Sequence, residues 1–440
     1  MEIRKFLVLL ACLWALPMFA QEHGESHGNS QTAAAQEHAA TAAHENHDDA
    51  AHEGHVSCGE SHHEEEAFNP SATAFHHIGD ANAFHVWGDI YMPLPCILYA
   101  PDHGWSVFMS GKFDAKHHGN GEKAIDRYVM EHGQVMRVAD PAFPMGEVNI
   151  GGFTHGEETI DGKKRDVYYV CYENQPYRLE KKSTLDAGVF GGGLTSYYDF
   201  SITKNVFGLL LTGILLLFMF RGVAKAYQRR DGEAPKGLQS LVEPVILFIR
   251  DEVAIPFIGK HKYEKYLPFL LSIFFLILGL NLVGQIPIFP GSSNVTGNLS
   301  FTLVMALFTF LVTNLNGNKH YWEHIFWMPG VPAWVKTILT PVEVMGIIIK
   351  PFTLMLRLFA NITAGHIVIV SFVGLIFIFG KSGESIGGAS LGAGMALLLS
   401  LFMMAIELLV AFIQAFVFTL LTASYIGSAV EDHHHAEEHH

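Results

Sequence analysis

Charged side chains are nearly absent from two long stretches near the C-terminus of this sequence. Between Pro351 and Gly380 the only charged residue is Arg357, and across residues 385–430 the only one is Glu407. Apolar runs of this length exclude an ordinary soluble domain, because about 20 consecutive apolar residues are enough to span a bilayer as a helix. An arginine at mid-bilayer costs at least about 2.5–3.5 kcal/mol, so its presence there predicts a functional role.

Basic residues are missing from residues 21–66, which hold eleven Asp and Glu, nine His and no Lys or Arg. With four more acids in the segment 431–440, these carboxylates account for the whole net charge of −15. An acidic balance of this kind argues against a nucleic-acid partner. Because residues 21–66 have almost no apolar side chains to bury, we predict that they are disordered, with weak metal binding by His as the alternative. We expect no cofactor.

Cysteine is scarce, at four residues in 440. Cys12 lies in residues 1–20, where two basic residues precede an apolar core, so this segment is interpreted as a cleaved secretory signal peptide. The alternative is a lipoprotein signal with a lipid on Cys12. Export puts the other cysteines in an oxidising compartment, where Cys96 and Cys171 could pair, although Cys58 makes the number odd and leaves the pairing open.

The rest of the chain divides into two parts of different character. Residues 67–200 contain short alternating runs between Gly, Asn and Asp, which predict a small β-rich exported domain. Residues 201–430 predict an all-α polytopic membrane domain, followed by the His/Glu-rich tail 431–440. The predicted five crossings are residues 205–220, 266–289, 299–315, about 338–379 and about 389–428.

Basic residues set the expected orientation in a bacterial inner membrane. Lys and Arg directly follow the first crossing, so that side is predicted to be cytoplasmic and the N-terminal domain periplasmic. Residues 237–259 are interrupted by charge and proline and should lie along the cytoplasmic surface. The last two crossings are near forty residues each, too long for upright spans, which predicts a strongly tilted helical hairpin.

Polar residues on these two long helices are predicted to form two layers. Arg357 and His366 lie nine residues apart on the first helix, and Glu407 and Gln414 lie seven residues apart on the second. In an antiparallel hairpin Arg357 therefore faces Gln414, and His366 faces Glu407. At 1.5 Å per residue the layers lie about 10–14 Å apart. The structural alternatives are an ion pair between Arg357 and Glu407, and interhelical hydrogen bonding by Gln414.

Helical phase separates two chemical tasks on the first helix of the pair. Glu343, Arg357 and Asn361 fall in one stripe, whereas His366 points to nearly the opposite side. A His–Glu pair can pass protons, because both groups can titrate near neutral pH. Arg357 stays charged at any working pH, so it can attract a carboxylate and block a direct proton leak.

Three stretches resemble a known family, and the first two contain these residues. They are PVEVMGIIIKPFTLMLRLFANITAGHI (341–367), IELLVAFIQAFVFTLLTASYI (406–426) and, in an earlier span, GLNLVGQIPIF (279–289). Together they closely resemble subunit a of the F-type ATP synthases, and the core LRLFxNxxxGH is highly specific. The similarity covers roughly residues 200–430. The exported domain and both His-rich tails lie outside the common family pattern.

The resemblance implies a proton-channel stator of the membrane sector, CF(0). Two offset half-channels would deliver protons to and from the carboxylates of a rotating c-ring, which couples proton flow to ATP synthesis. The implied partners are the c-ring, the peripheral stalk (subunit b) and the lipid bilayer. Arg357 would face the ring carboxylate, with Asn361 and Gln414 around it.

The remaining site residues follow from the same resemblance. Glu343 matches an acid near the cytoplasmic half-channel. His366 and Glu407 match a pair that lines the external half-channel, although some bacterial members carry Glu at the first position and His at the second. This chain therefore has the exchanged arrangement, with the same two chemistries across the gap.

Other functions are less consistent with the sequence. It has no G-x-x-x-x-G-K-[ST] motif, so we predict no nucleotide-hydrolysing site within the chain. The main alternative is a self-contained proton-coupled transporter in which Arg357 binds an anionic substrate, but the sequence has no inverted repeat typical of such folds. A third is metal binding by the His-rich tails with a membrane anchor. Protons and sodium are not distinguished.

Overall fold

The structure is a computed structural model, and part of the chain is described by it. The described residues are Cys58, 79–87, 90–116, 119–160, 163–182, 197–230, 233–286, 291, 293–327, 332–380 and 385–431. The predicted signal peptide, the segment 21–66 apart from Cys58, and the tail from residue 432 onwards lie outside them.

The N-terminal part is β-rich, as its alternating runs predicted. Its strands within the described residues are β1 (Ala83–Trp87), β2 (Ile90–Pro93), β3 (Pro95–Ala100), β4 (Gly104–Met109), β5 (Ala115–Lys116), β6 (Asn120–Gly121), β7 (Lys123–Ile125), β8 (Tyr128–Glu131), β9 (Gln134–Val138), β10 (Glu147–Asn149), β11 (Phe153–Ile160), β12 (Lys163–Tyr172), β13 (Gln175–Glu180) and β14 (Tyr198–Asp199). In the described chain the largest sheet is antiparallel, in the order β10-β7-β8-β9-β13-β12-β11, and a smaller sheet has the order β14-β3-β4.

The core of this domain contains a buried charged group as well as apolar residues. Arg127 and Arg137 are both buried, and both donate to Oδ2 of Asp102, at 3.1 and 2.7 Å. The hydrogen bond from Arg137 lowers the pKa of the Asp102 carboxyl below its usual range. Asp102 stays partly exposed, so the group pairs two buried guanidinium ions with one carboxylate at the edge of the core.

The cysteine pairing differs from the one considered from the sequence. Cys171 forms a disulfide with Cys58, and Cys96 is a free, fully buried thiol. The reason is strand geometry. Cys96 points inward from β3 into the core of the smaller sheet, whereas Cys171 lies on β12 of the larger sheet.

The C-terminal part is helical, as predicted. Its helices within the described residues are α1 (Lys204–Arg229), α2 (Leu238–Phe248), α3 (Ile255–Ile258), α4 (Tyr263–Gly284), α5 (Leu299–Leu315), α6 (Lys319–Phe326), α7 (Ala333–Gly380) and α8 (Ile386–Val430). A π-helical turn, Ile249–Ala254, joins α2 to α3. Four of the described helices are long and apolar enough to cross a membrane, or five if α5 and α6, bent by 104° to each other, form one span. Five crossings therefore stay a prediction.

Contacts between helix ends show the directions in which the helices run. At the side of the β-rich domain, Gly208 near the start of α1 contacts Ser293 in the α4–α5 connection. At the opposite side the end of α8 meets the start of α4, because Lys262 Nζ donates to the carbonyl of Val430 at 2.6 Å. Gly427 of α8 lies against the backbone of Phe257 in α3 at that same side. Successive long helices thus alternate in direction.

Two helices are much longer than a bilayer is thick. α7 contains 48 residues and α8 contains 45. At 1.5 Å per residue each is about 70 Å long, against about 30 Å for the hydrocarbon core. They pack against each other as an antiparallel hairpin. Asn298 caps α5 and Ser385 caps α8, each accepting a backbone N–H of the first turn, which fixes where both helices begin.

Candidate functional site: a polar cavity beside an exposed arginine

The six residues predicted to carry the function lie on the α7–α8 hairpin. Its register agrees with the prediction from the sequence, because Gly365 contacts the side chain of Glu407. Position 365 is one residue from His366, the predicted partner of Glu407. The side chain of His366 lies outside the described part of the structure, so the His366–Glu407 contact itself stays a prediction.

A cavity of about 360 Å³ lies between α4, the α4–α5 connection, α7 and α8. The predicted residues Asn361, Glu407 and Gln414 line it together. Glu407 and Gln414 share one face of α8, as the seven-residue spacing predicted. Its other polar lining residues are Asn281, Gln285, Ser293, Asn294 and Thr296.

Glu407 is a buried carboxylate at the cavity wall. Only 8% of the residue is exposed, and Oε1 has no hydrogen-bond partner among the described residues. Burial of an acid in an apolar helix is costly unless it is paired, hydrated or protonated. A polar cavity of this size has room for water molecules that could bond the carboxylate. The arrangement suits a group that exchanges protons with the cavity.

Polar residues from α4 and the α4–α5 connection complete the cavity wall. Thr296 Oγ1 donates to Asn281 Oδ1 at 2.6 Å, and Asn281 Nδ2 donates to the carbonyl of Ala411 on α8 at 3.4 Å. Asn281 thereby ties α4 to α8 beside Gln414. The polar pattern of α7 and α8 does not reveal these residues, although Asn281 is itself a polar residue inside an apolar helix and gives a signal in the sequence.

Arg357 is placed differently from the cavity residues. It is exposed, it does not line the cavity, and no ion pair joins it to Glu407 among the described residues. The alternative of a structural Arg357–Glu407 ion pair is therefore not supported. Gln414 is buried, and no described contact joins it to Arg357, so the predicted Arg357–Gln414 layer stays a prediction.

The surface around Arg357 is apolar, and none of the residues that the structure describes covers it. Large exposed hydrophobic side chains flank Arg357 on α7, including Phe352 at 53% and Leu356 at 40% exposed. The part of α8 that pairs with α7 beside Arg357 exposes further residues of this kind, namely Leu408, Leu409, Phe412 and Ile413. This hairpin face therefore meets lipid or another membrane protein.

Another polar region lies toward the opposite end of the hairpin, away from the β-rich domain. Lys350 Nζ lies 5.3 Å from the ring centre of Tyr425, in a small cavity that Asn314 and Tyr321 also line. Glu343 is half-buried, and its carboxylate lies near enough to Tyr321 to act electrostatically on the phenol. Polar side chains thus continue from Arg357 along the hairpin on the side opposite to Glu407.

Two family models match separate parts of the chain. A family model described as ATP synthase A chain matches residues 206–427, half of the chain. A second family model, described as a domain of unknown function, matches residues 73–188, the β-rich part.

Several curated relatives carry the name ATP synthase subunit a. The protein of Chloroherpeton thalassium is 37% identical over 292 residues, covering 65% of this chain and 81% of the relative. That of Myxococcus xanthus is 39% identical over 251 residues, covering 55% and 77%. That of Pelodictyon phaeoclathratiforme is 35% identical over 314 residues, covering 68% and 85%. The family model matches half of the chain, and the matched residues include every residue that lines the cavity. The chain therefore belongs to the ATP synthase A chain family, subunit a of the F-type ATP synthase.

Proposed function

We propose that the cavity beside Glu407 is the half-channel by which protons reach the c-ring in this proton-channel stator subunit. The subunit has no catalytic site of its own and works with the ring and the rest of the synthase. The observation that carries the proposal is the buried carboxylate of Glu407, which faces a polar cavity while Arg357 stands apart on the exposed face. Protons would pass between His366 and Glu407 and then to the ring carboxylate.

Arg357 separates the two proton routes. A guanidinium ion stays charged at any working pH and binds a carboxylate with two parallel hydrogen bonds. On the exposed apolar face it would hold a deprotonated ring carboxylate between the half-channels. A proton must then travel with the ring before it is released. Asn361 and Gln414 would orient the carboxylate as it reaches or leaves Arg357.

The second half-channel would begin at Arg357 and run past Lys350 and Tyr425 to Glu343. The small cavity at Lys350 and the proximity of Glu343 to Tyr321 support this route. Glu343 lies about 21 Å along the helix axis from Arg357, which is enough to reach the membrane surface. Proton release would occur there.

The topology in the membrane and the contact with subunit b are part of the same proposal. Five crossings would put the β-rich domain in the periplasm and the C-terminus in the cytoplasm, with the basic residues in and after the last turns of α1 on the cytoplasmic side. Residues 1–20 would be removed as a signal peptide, the domains would be 67–200 and 201–430, and subunit b would contact the membrane part. The self-contained transporter is not favoured, because the ATP synthase A chain family model matches residues 206–427, nearly all of the membrane domain.

Replacing each of the two acids tests the two routes. Glu407→Gln and Glu343→Gln keep side-chain size but cannot exchange protons, and both should lower proton-driven ATP synthesis in membrane vesicles at least several-fold. The matched control is Glu323→Gln, at an exposed position on α6 outside both cavities. Equal synthesis rates in all three variants and the parent would refute the proposal.

A further inference from the structure

Strands β3 and β4 of the smaller sheet are apolar on their outward face and, apart from Ser106, on their inner face as well. The inner face is buried, with Cys96, Leu98 and Phe108 in the domain core. An antiparallel sheet with water on its other side normally alternates apolar and polar residues. Here the outward residues of β4 are also apolar, at 61% exposed for Trp105, 68% for Val107 and 44% for Met109.

The neighbouring strand extends this outward apolar surface. In the β3–β4 register Tyr99 lies beside Trp105, Ile97 beside Val107 and Pro95 beside Met109. The outward face of the pair is therefore six apolar or aromatic residues. β4 is also an edge strand of this sheet. An exposed apolar edge strand favours aggregation unless something covers it.

The position of the sheet relative to α1 is fixed by hydrogen bonds. β14 pairs with β3, and the backbone N–H groups of Phe200 and Ile202 donate to Ile97 and Pro95. Two residues later α1 begins at Lys204, whose N–H donates to the carbonyl of Ala81 at 2.8 Å. The domain is thus attached to α1 without a slack linker.

The depth of α1 in the bilayer places this sheet at the lipid surface. From Arg221, the first basic residue after the apolar run, to Lys204 is about 26 Å along the helix, close to the thickness of the hydrocarbon core. Phe200, four residues earlier, is at most about 14 Å farther out. The Trp105 ring lies 5.5 Å from the Phe200 ring and 5.0 Å from the Tyr99 ring. Aromatic rings of this kind are enriched at the headgroup level of membranes.

We infer that the outward face of β3 and β4 rests on the phospholipid headgroup layer of the leaflet in which α1 begins. Trp105, Val107 and Met109 would dip into the boundary between headgroups and acyl chains. The chain would then have a second membrane contact, outside the membrane-spanning helices. The inference concerns the β-rich domain and does not depend on the proposed roles of Arg357 or Glu407.

Spin labels on the full chain in phosphatidylcholine vesicles test the inference. Val107→Cys and, separately, Met109→Cys supply labelling sites on the exposed face. Gln175→Cys is the control, because it is exposed at the β12–β13 turn, far along the larger sheet from the α1 junction. Cys58 and Cys171 are disulfide-bonded, and Cys96 is buried. Burial raises the pKa of the Cys96 thiol to about 12, which suppresses its reaction; the parent chain serves as the labelling blank.

Collisions with oxygen, which concentrates in lipid, and with a water-soluble nickel complex distinguish the environments. We expect labels at 107 and 109 to be several-fold more accessible to oxygen than to nickel, and the label at 175 to show the reverse. Nickel access at 107 and 109 equal to that at 175 would mean that the face is in water and would overturn the inference. Low access to both reagents would mean that protein covers the face and would overturn it as well.

Discussion

Gly365 lies so close to Glu407 that a Cβ built at position 365 would stand 2.5 Å from Glu407 Oε1. This contact brings the backbone of α7 next to the one buried carboxylate that the described part of α8 contains. It also sets the register in which Asn361 and Gln414 line the same cavity. The glycine at 365 therefore leaves the space that the Glu407 carboxylate occupies in the candidate proton route.

Gly365→Ala should displace the Glu407 carboxylate while leaving the helix intact, since alanine favours helix. Overpacking of this kind costs about 1–3 kcal/mol of folding stability. Because the displaced carboxylate no longer lies in line with its proton partners, we expect proton-driven ATP synthesis to fall several-fold. The matched control is Gly346→Ala on the same helix, where a Cβ meets nothing within 4 Å. The rates of ATP synthesis in vesicles of the two variants decide the matter, and equal rates would contradict the assigned role of the contact.

The exchanged His–Glu arrangement gives a second prediction. His366→Glu and Glu407→His each leave two like groups across the gap, and each should lose most proton-driven synthesis. The double variant restores one imidazole and one carboxylate, so it should recover a large part of the rate. The rates of the parent, the two single variants and the double variant are measured in separate vesicles prepared in the same way. Their comparison distinguishes a paired role of the two residues from independent roles. If the double variant is as impaired as the product of the two single losses, the two residues do not act as a pair.

A buried carboxylate in the β-rich domain predicts a pH-dependent stability. Burial raises the pKa of Glu131 to about 7 from 4.5, opposed by the charge of Lys181, and His155 Nδ1 lies 3.8 Å from its Oε1. The folded state binds the proton more tightly than the unfolded state, so stability is full below about pH 4.5. It falls as the pH rises through 7, by about 3 kcal/mol in total.

Glu131→Gln removes this titration and should be more stable than the parent at pH 8 but not at pH 4.5. Amide hydrogen exchange of β8 and β9 in the full chain, corrected for intrinsic rates, measures the difference. The comparison cancels the titration of groups that do not interact with position 131. If the stability difference between parent and variant does not change with pH, the Glu131 carboxyl is not the source of the pH dependence.

The sequence predicted the parts of the fold that produce a periodic pattern or a bias in composition along the chain. Alternation predicted the strands of the β-rich domain, and apolar length predicted α7 and α8. The spacing of polar residues predicted the hairpin register to within one residue, as the Gly365–Glu407 contact confirms. These features depend on neighbours along the chain or on one helix pair.

Features that depend on distant parts of the chain were missed or left open. Cys171 pairs with Cys58 across a separation of 113 residues, which spacing alone does not reveal. Asn281 and Thr296 enter the cavity from α4 and the following connection, and only the packing of α8 on α4 brings them to Gln414. The outward apolar face of β4 could not be assigned without knowing which side of the strand is the core.

The most direct measurement is proton-driven ATP synthesis, together with passive proton flow, in membranes containing Arg357→Ala. Without the guanidinium nothing holds the ring carboxylate deprotonated between the half-channels. The account predicts that coupled synthesis is abolished while passive proton flow through the membrane sector persists or rises. Coupled synthesis at the parent rate in Arg357→Ala would contradict it.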